Sequence, residues 1–320
     1  MRVVASVAVL AGGAAVLVPV APAAAKAGTA SKQQAPYAVG SRSYTFVDTS
    51  RPTSPNGTYP GAATRTLPTL LLYPAAGDAN GPIVANAKPA RRSQGFPLVV
   101  FSHGFTATGP AYQGLLQRFV RAGYVVAAPT FPLSNGAAPG GPRLTDYVNQ
   151  PADVSFVLTQ VLRLQRRDPS LRKTIDRRDI GVAGHSLGAI TTLGLARNSC
   201  CQDPRIDAAV AFSGIQLPFP GGSFTTASGP PLMLVHGDKD GTVPFAGSTG
   251  AYAQAPAPKV LLTLLGAPHT PFFAPWIDPL TTSVTDFLDG YLKHSRKALR
   301  RLATDGNVPA ATTLQEDLGD

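Results

Sequence analysis

Hydrophobic and polar positions alternate in blocks along most of this chain. From residue 97 onward, short continuous apolar runs are followed by amphipathic ones: "PLVVFSHG" reads as a buried strand, "AYQGLLQRFVRAG" as a helix with one apolar face, and "YVVAAPTF" again as a strand. "PADVSFVLTQVLRLQRR" predicts a second helix, followed by the strand "DIGVAGHS", the helix "LGAITTLGLARN" and the strands "DAAVAFSG", "PLMLVHG" and "KVLLTLLGA". "LTTSVTDFLDGYLKHSRKAL" closes the series as one helical segment. Upstream, "SYTFVDTSR" and "TLPTLLLYPA" predict two early strands separated by a turn rich in Pro, Gly and Thr. Continuous apolar strands alternating with helices imply an α/β fold, a mostly parallel central sheet covered by helices on both faces. No internal repeat is visible.

Two irregular stretches interrupt this rhythm, 131–150 and 215–231. Each follows a predicted strand at its C-terminal end, the edge at which open α/β sheets place their sites. They are candidates for a pocket rim or for plain surface loops. Neither has the length and periodicity of a large lid domain.

The N-terminus follows a different pattern. A positive start in "MRVV", then the apolar run of "ASVAVLAGGAAVLVPVAPAAAKA" and small residues up to Ala27, read as a signal peptide over 1–27. Residues 28–40 are expected to be a linker, 41–296 a catalytic domain and 297–320 a basic and polar tail. The protein is therefore expected to be secreted, with no stable membrane insertion after cleavage, since later apolar runs are short and broken by Gly or Pro.

At 320 residues and 44% apolar composition, the chain is long enough for a large core. The net charge of +10 is concentrated partly in "KHSRKALRR", yet no zinc-finger spacing or RNA-binding aromatic motif accompanies it, so nucleic acid is not an expected partner. The two cysteines, Cys200 and Cys201, are adjacent. Neighbouring Cα atoms lie ~3.8 Å apart, below the usual disulfide range, while export favours oxidation; the pattern leaves their state open.

The stretch "IGVAGHSLGA" places Ser186 between two glycines at a predicted strand-to-helix turn. That Gly-x-Ser-x-Gly arrangement exposes a serine hydroxyl beside the free N–H groups of a helix N-terminus. A serine at its ordinary acidity needs a base and a group that orients the base. Of the five histidines, His269 in "LLGAPHTPF" follows the last predicted strand on the same edge of the sheet and is the expected base. His185 beside the serine is expected to pack or to make a local hydrogen bond. Asp203 and Asp207 precede a strand at the opposite edge, whereas "MLVHGDKDGTVP" puts Asp238 and Asp240 at the right one, and Asp240 is preferred as the orienting acid. An oxyanion formed on a carbonyl needs preset donors. The main-chain N–H of Leu187 and of Phe105, in "VVFSHGFTATG", are the expected pair.

"FSHGF", "GHSLG", "HGDKDGTVP" and "GAPHT", in that order, resemble the motifs of the α/β-hydrolase superfamily over residues 43–293. "DTSRPTSPNGTYPGAATRTLPTLLLYPA" resembles the N-terminal region of secreted bacterial hydrolases related to platelet-activating-factor acetylhydrolase and dienelactone hydrolase, and the later motifs are similar to bacterial cutinases and polyester hydrolases. The resemblance implies an α/β-hydrolase fold and a carboxylic-ester hydrolase. Ser186, Asp240 and His269 would form its triad, with Phe105 and Leu187 as the oxyanion hole and no metal or cofactor. The implied substrate is a small-molecule, lipid or polymeric ester. The alternatives are a lipase, phospholipid deacylase or cutinase-like enzyme working at an interface, and a catalytically silent binding protein. Polyester hydrolases usually carry tyrosine at the position of Phe105 and methionine at that of Leu187, and dienelactone hydrolases use cysteine as nucleophile.

Overall fold

The structure, a computed structural model, describes residues 36–225 and 227–319. The expected signal peptide and most of the expected linker lie outside the described residues. Among the described residues a single ten-stranded sheet runs through the molecule. In chain order the strands are β1 (Ala38–Asp48), β2 (Arg65–Ala75), β3 (Val84–Ala85), β4 (Phe96–Ser102), β5 (Val125–Pro129), β6 (Ile175–His185), β7 (Ala208–Phe212), β8 (Leu232–Gly237), β9 (Lys259–Leu264) and β10 (Thr312–Asp317). The helices are α1 (Gln113–Arg121), α2 (Gln150–Arg167), α3 (Leu187–Arg197), α4 (Ala246–Gln254), α5 (Ile277–Leu292) and α6 (Arg296–Asp305).

The spatial order is β10-β9-β8-β7-β6-β4-β5-β2-β1-β3. The strands from β5 to β9 are parallel, while β2 on β5, β1 on β2 and β10 on β9 run antiparallel. Alternation along β4 explains why its sequence is apolar from Phe96 to Phe101. Leu98 and Val100 join the core beneath α2 and α3, and Val99 and Phe101 join the core beneath α1 and α5. A strand buried on both faces has no polar side to present. Within the core the chain leaves β4 toward β5 on one side and returns with β6 on the other. That reversal opens a crevice at the C-terminal ends of β4 and β6, where such sheets bind ligands.

Local signals account for the helix boundaries. Pro151 sits in the first turn of α2, where its missing N–H costs nothing. Gly123, at φ 93°, stops α1. The predicted single closing helix is instead two: His294 takes φ 55°, and the Ser295 side chain accepts from the Ala298 N–H to start α6. The turn lets α6 fold back onto α5 so closely that a Cβ on Gly290 would lie 2.2 Å from a Leu299 methyl.

The expected domain boundaries also shift. Residues 38–40, assigned to the linker, begin β1, and the expected tail supplies most of α6 and the edge strand β10. "TTLQED" carries too little apolar character to read as a strand, but an edge strand needs only one neighbour and pairs with β9 along its whole length. α4, "AGSTGAYAQ", was invisible for a similar reason: small residues give it almost no apolar face, and it buries only Ser248 and Ala251. Part of the basic run is neutralised internally, since Lys293 pairs with Asp289 and donates to the Ala122 carbonyl, and Arg301 pairs with Asp286.

Candidate active site

Ser186 stands between β6 and α3 with φ 56° and ψ −118°, a backbone conformation that side chains disfavour and that persists only where surroundings enforce it. Its N–H donates to the Phe212 carbonyl on β7 at 2.9 Å, and its own carbonyl accepts from the N–H groups of Ala189 and Ile190. The flanking glycines are required by contact. A Cβ on Gly184 would lie 2.2 Å from the Gly188 oxygen, and one on Gly188 would lie 2.0 Å from the Ser102 oxygen at the end of β4.

The structure brings Ser186, His269 and Asp240 into one line. His269 Nε2 is 2.9 Å from Ser186 Oγ, and His269 Nδ1 is 2.7 Å from Asp240 Oδ2. The carboxylate can only accept, so Nδ1 carries the proton and Nε2 is left as the acceptor for the serine O–H. The Asp240 side chain is fully buried, and its other oxygen, Oδ1, accepts from the N–H groups of Thr242 and Val243 at 2.8 and 2.9 Å. Burial pushes the Asp240 carboxyl up, but the His269 hydrogen bond and the two backbone donors outweigh it and hold the acid below its usual range. Asp238 lies elsewhere: its Oδ1 accepts from the Gly266 N–H at 2.6 Å and fixes the turn that leads to His269.

A second histidine reaches the same carboxylate. His236 Nε2 is 3.0 Å from Asp240 Oδ2, and its Nδ1 is 2.7 Å from Ser248 Oγ on α4. Burial lowers its basicity, so it serves as a neutral donor. Sequence reasoning placed His236 only as the end of a strand; the "HGDKD" spacing, four residues from His236 to Asp240, was the available signal.

The loop expected to supply an oxyanion donor follows β4. Both polar groups of the Gly104 peptide are engaged: its N–H donates to Tyr112 Oη at 3.1 Å, and its carbonyl accepts from His103 Nδ1 at 2.7 Å. The loop is pinned on its far side where the Phe131 N–H donates to His103 Nε2 and the Thr106 N–H donates to the Ser134 carbonyl. Gly104 lies against the serine, since a Cβ there would be 3.3 Å from Ser186 Cβ. Among the described residues, neither the Phe105 nor the Leu187 N–H donates to a protein acceptor. One of these donors lies in the loop after β4 and the other on the first residue of α3, next to the serine.

A cavity of about 450 Å³ opens over Ser186, walled by Phe105, Ala107, Ala111, Gly114, Leu115 and Phe272. No Asp, Glu, Lys or Arg lines it. The 131–150 and 215–231 stretches contribute no lining residue to this cavity. Instead Tyr147, Ile215, Leu217 and Phe219 pack around Leu187 and Ile190 and cover the elbow helix from its other side. The wall comes from the 3₁₀ turn at 109–112, from the start of α1 and from Phe272, which a one-dimensional pattern assigns only to a helix start and a loop. Cys200 and Cys201, after α3, are joined by a disulfide. Among the described residues no group of three or more His, Cys, Asp or Glu is placed to hold a metal, and no helix is long and apolar enough to cross a membrane.

The chlorophyllase family model matches residues 81–235. A comparison with curated proteins finds no match. Among solved structures, a ferulic acid esterase from Streptomyces cinnamoneus superposes with a TM-score of 0.62 at 23% identity, over 83% of this chain and 93% of that one. The ten-stranded, mostly parallel sheet, its flanking helices and the serine elbow at its reversal point agree with that likeness: the chain has the α/β-hydrolase fold.

Proposed function

We propose that this protein is a secreted serine hydrolase that cleaves carboxylic esters through an acyl-enzyme. The observation that carries this reading is the hydrogen-bonded line from Ser186 Oγ through His269 to Asp240, set on a strained elbow. The match to the chlorophyllase model and the likeness to an esterase structure support the ester class. The N-terminal pattern at 1–27 supports export.

In the proposed cycle His269 Nε2 takes the Ser186 proton as Oγ attacks the ester carbonyl. The tetrahedral oxyanion is held by the Phe105 and Leu187 N–H groups, whose lack of other acceptors leaves them preorganised for charge. His269 then passes the proton to the departing alcohol. Water repeats the sequence on the acyl-enzyme, with Asp240 holding the imidazole tautomer and stabilising its protonated form. The largely apolar cavity, with no Asp, Glu, Lys or Arg in its wall, favours a neutral ester over a charged one, because an ionised group buried there would lose its hydration without an oppositely charged carboxylate, ammonium or guanidinium partner.

The test is hydrolysis of p-nitrophenyl esters of increasing acyl length by the wild type and Ser186→Ala. The reading requires at least a thousandfold fall in kcat/KM for the variant. Retention of wild-type activity by folded Ser186→Ala would remove Ser186 from the mechanism.

A second reading, action at a lipid or polyester surface, is favoured by the exposure of Phe105 at 37% and Phe273 at 51%, the first lining the cavity and the second adjoining Phe272. Activity that rises sharply when a short-chain ester passes its solubility limit supports it, and a smooth saturation curve through that limit refutes it.

A further inference from the structure

The direction of every hydrogen bond between Gly104 and His269 is fixed by chemistry. The His269 carbonyl can only accept, so His185 Nε2, 2.8 Å away, must carry a proton and donate to it. In a neutral imidazole the other nitrogen, Nδ1, is then an acceptor, and Tyr112 Oη, 2.8 Å away, must donate to it. Tyr112 Oη in turn accepts from the Gly104 N–H at 3.1 Å. The result is a one-way chain: Gly104 N–H to Tyr112 O–H to His185 Nδ1, and His185 Nε2–H to the His269 carbonyl.

Each end of this chain belongs to the chemistry. Gly104 immediately precedes Phe105, whose N–H is one oxyanion donor in the proposed mechanism, and the His269 carbonyl belongs to the residue proposed as general base. His185 itself adjoins Ser186. We infer that Tyr112 and His185 are positioning residues, a neutral strut that sets the oxyanion loop and the histidine loop at fixed spacing across the serine. This inference rests on the serine-hydrolase reading.

The surroundings suit that task. Tyr112 and His185 are both buried, at 8% and 4% exposure, and their rings pack against each other and against Phe272 with centroids 5.1 to 5.9 Å apart. The His185 and His269 rings lie 4.8 Å apart, so a second cation beside the imidazolium formed in the reaction would be repelled. Burial pushes His185 down to about 4, which keeps it neutral and the chain one-way. A protonated His185 would turn an N–H toward Tyr112 Oη, which already accepts from Gly104, and Tyr112 would lose the acceptor for its own proton.

The test uses the full-length protein with four variants: Ser186→Ala, Tyr112→Phe, His185→Gln and His185→Leu. Turnover on p-nitrophenyl acetate is normalised to sites titrated with a fluorophosphonate in the wild type and the other three variants, so that misfolded molecules do not count, and to folded protein measured by circular dichroism in Ser186→Ala, which has no serine to label. Tyr112→Phe keeps the ring and removes only the hydroxyl. It is expected to lower kcat by about 10- to 100-fold with KM changed less than about twofold, because the strut governs geometry at the reacting atoms and not binding of the ester. His185→Gln keeps one donor and one acceptor without charge and is expected to recover most of the turnover that His185→Leu loses. Wild-type kcat per titrated site in Tyr112→Phe, or equal losses for Gln and Leu at 185, would overturn the strut while an inactive Ser186→Ala leaves the hydrolase reading standing. An active Ser186→Ala would overturn both.

Discussion

His236 and His269 share one oxygen: Asp240 Oδ2 accepts from His269 Nδ1 at 2.7 Å and from His236 Nε2 at 3.0 Å. The carboxylate is thereby held from two sides, with Thr242 and Val243 fixing its second oxygen. Replacing His236 by Leu removes one of these donors and leaves Ser248 Oγ without its imidazole partner. Loss of a buried donor opposite a charged acceptor should cost roughly 1–3 kcal/mol of stability. Urea unfolding will measure that loss, and kcat should fall about tenfold as Asp240 loses one of its four anchors. A variant as stable and active as wild type would show that Asp240 needs only its three other donors.

The two acids of "HGDKD" should respond differently to the same change. Asp240→Asn keeps the shape but replaces an acceptor-only group by one that can turn an NH₂ toward His269 Nδ1, which favours the wrong imidazole tautomer. A fall in kcat of about 10⁴-fold is expected. Asp238→Asn retains an oxygen for the Gly266 N–H and should stay within about threefold of wild type, with any cost appearing as stability. Steady-state kinetics on both variants decide the assignment, and the reverse ranking would transfer the orienting role to Asp238.

The strands and the meeting of Ser186, His269 and Asp240 were legible because both depend on local rules. A strand segment buried on two faces must be apolar, as β4 is from Phe96 to Phe101 and β6 from Ile180 to Ala183, and an elbow needs glycine where Gly184 and Gly188 meet backbone. His269 and Asp240 could be selected because each follows a strand at the edge that carries Ser186. The supports were not legible. Nothing in the spacing of Tyr112 and His185, 73 residues apart, indicates that they touch, and the cavity wall is assembled by packing segments distant in sequence. β10 and α4 were missed since neither buries a full apolar face, so tertiary contact and not periodicity defines them.

Gly114 marks the site where cavity length can be changed with least disturbance. It lies in the first turn of α1 and lines the cavity, and a Cβ built on it meets nothing within 4 Å. Gly114→Leu should fill part of the void and add up to about 1 kcal/mol of stability through helix propensity. Activity on p-nitrophenyl acetate is expected to change less than threefold, while kcat/KM for octanoate or longer esters falls at least tenfold. An unchanged chain-length profile would mean that the acyl group occupies another path from Ser186.

His103 offers a pH-dependent reading of how the oxyanion loop is held. The ring donates through Nδ1 to the Gly104 carbonyl and accepts the Phe131 N–H at Nε2, so the folded state needs it neutral. Burial lowers its pKa from 6.5 to about 4. Between those values the unfolded chain takes up a proton that the folded protein refuses, so this residue makes stability fall as pH drops from 6.5 toward 4. His103→Asn should be less stable than wild type at pH 8, because one of the two loop contacts is lost. The deficit should then narrow on acidification by as much as about 1.4 kcal/mol per pH unit, since the variant has no proton to take up at that position. His185 and His236 titrate alike in both proteins and cancel in the difference. Chemical denaturation of the pair at pH 8, 6 and 4.5 measures the trend. A deficit independent of pH would mean that His103 titrates equally in the folded and unfolded chains, and that its hydrogen bonds to Gly104 and Phe131 are not maintained in solution.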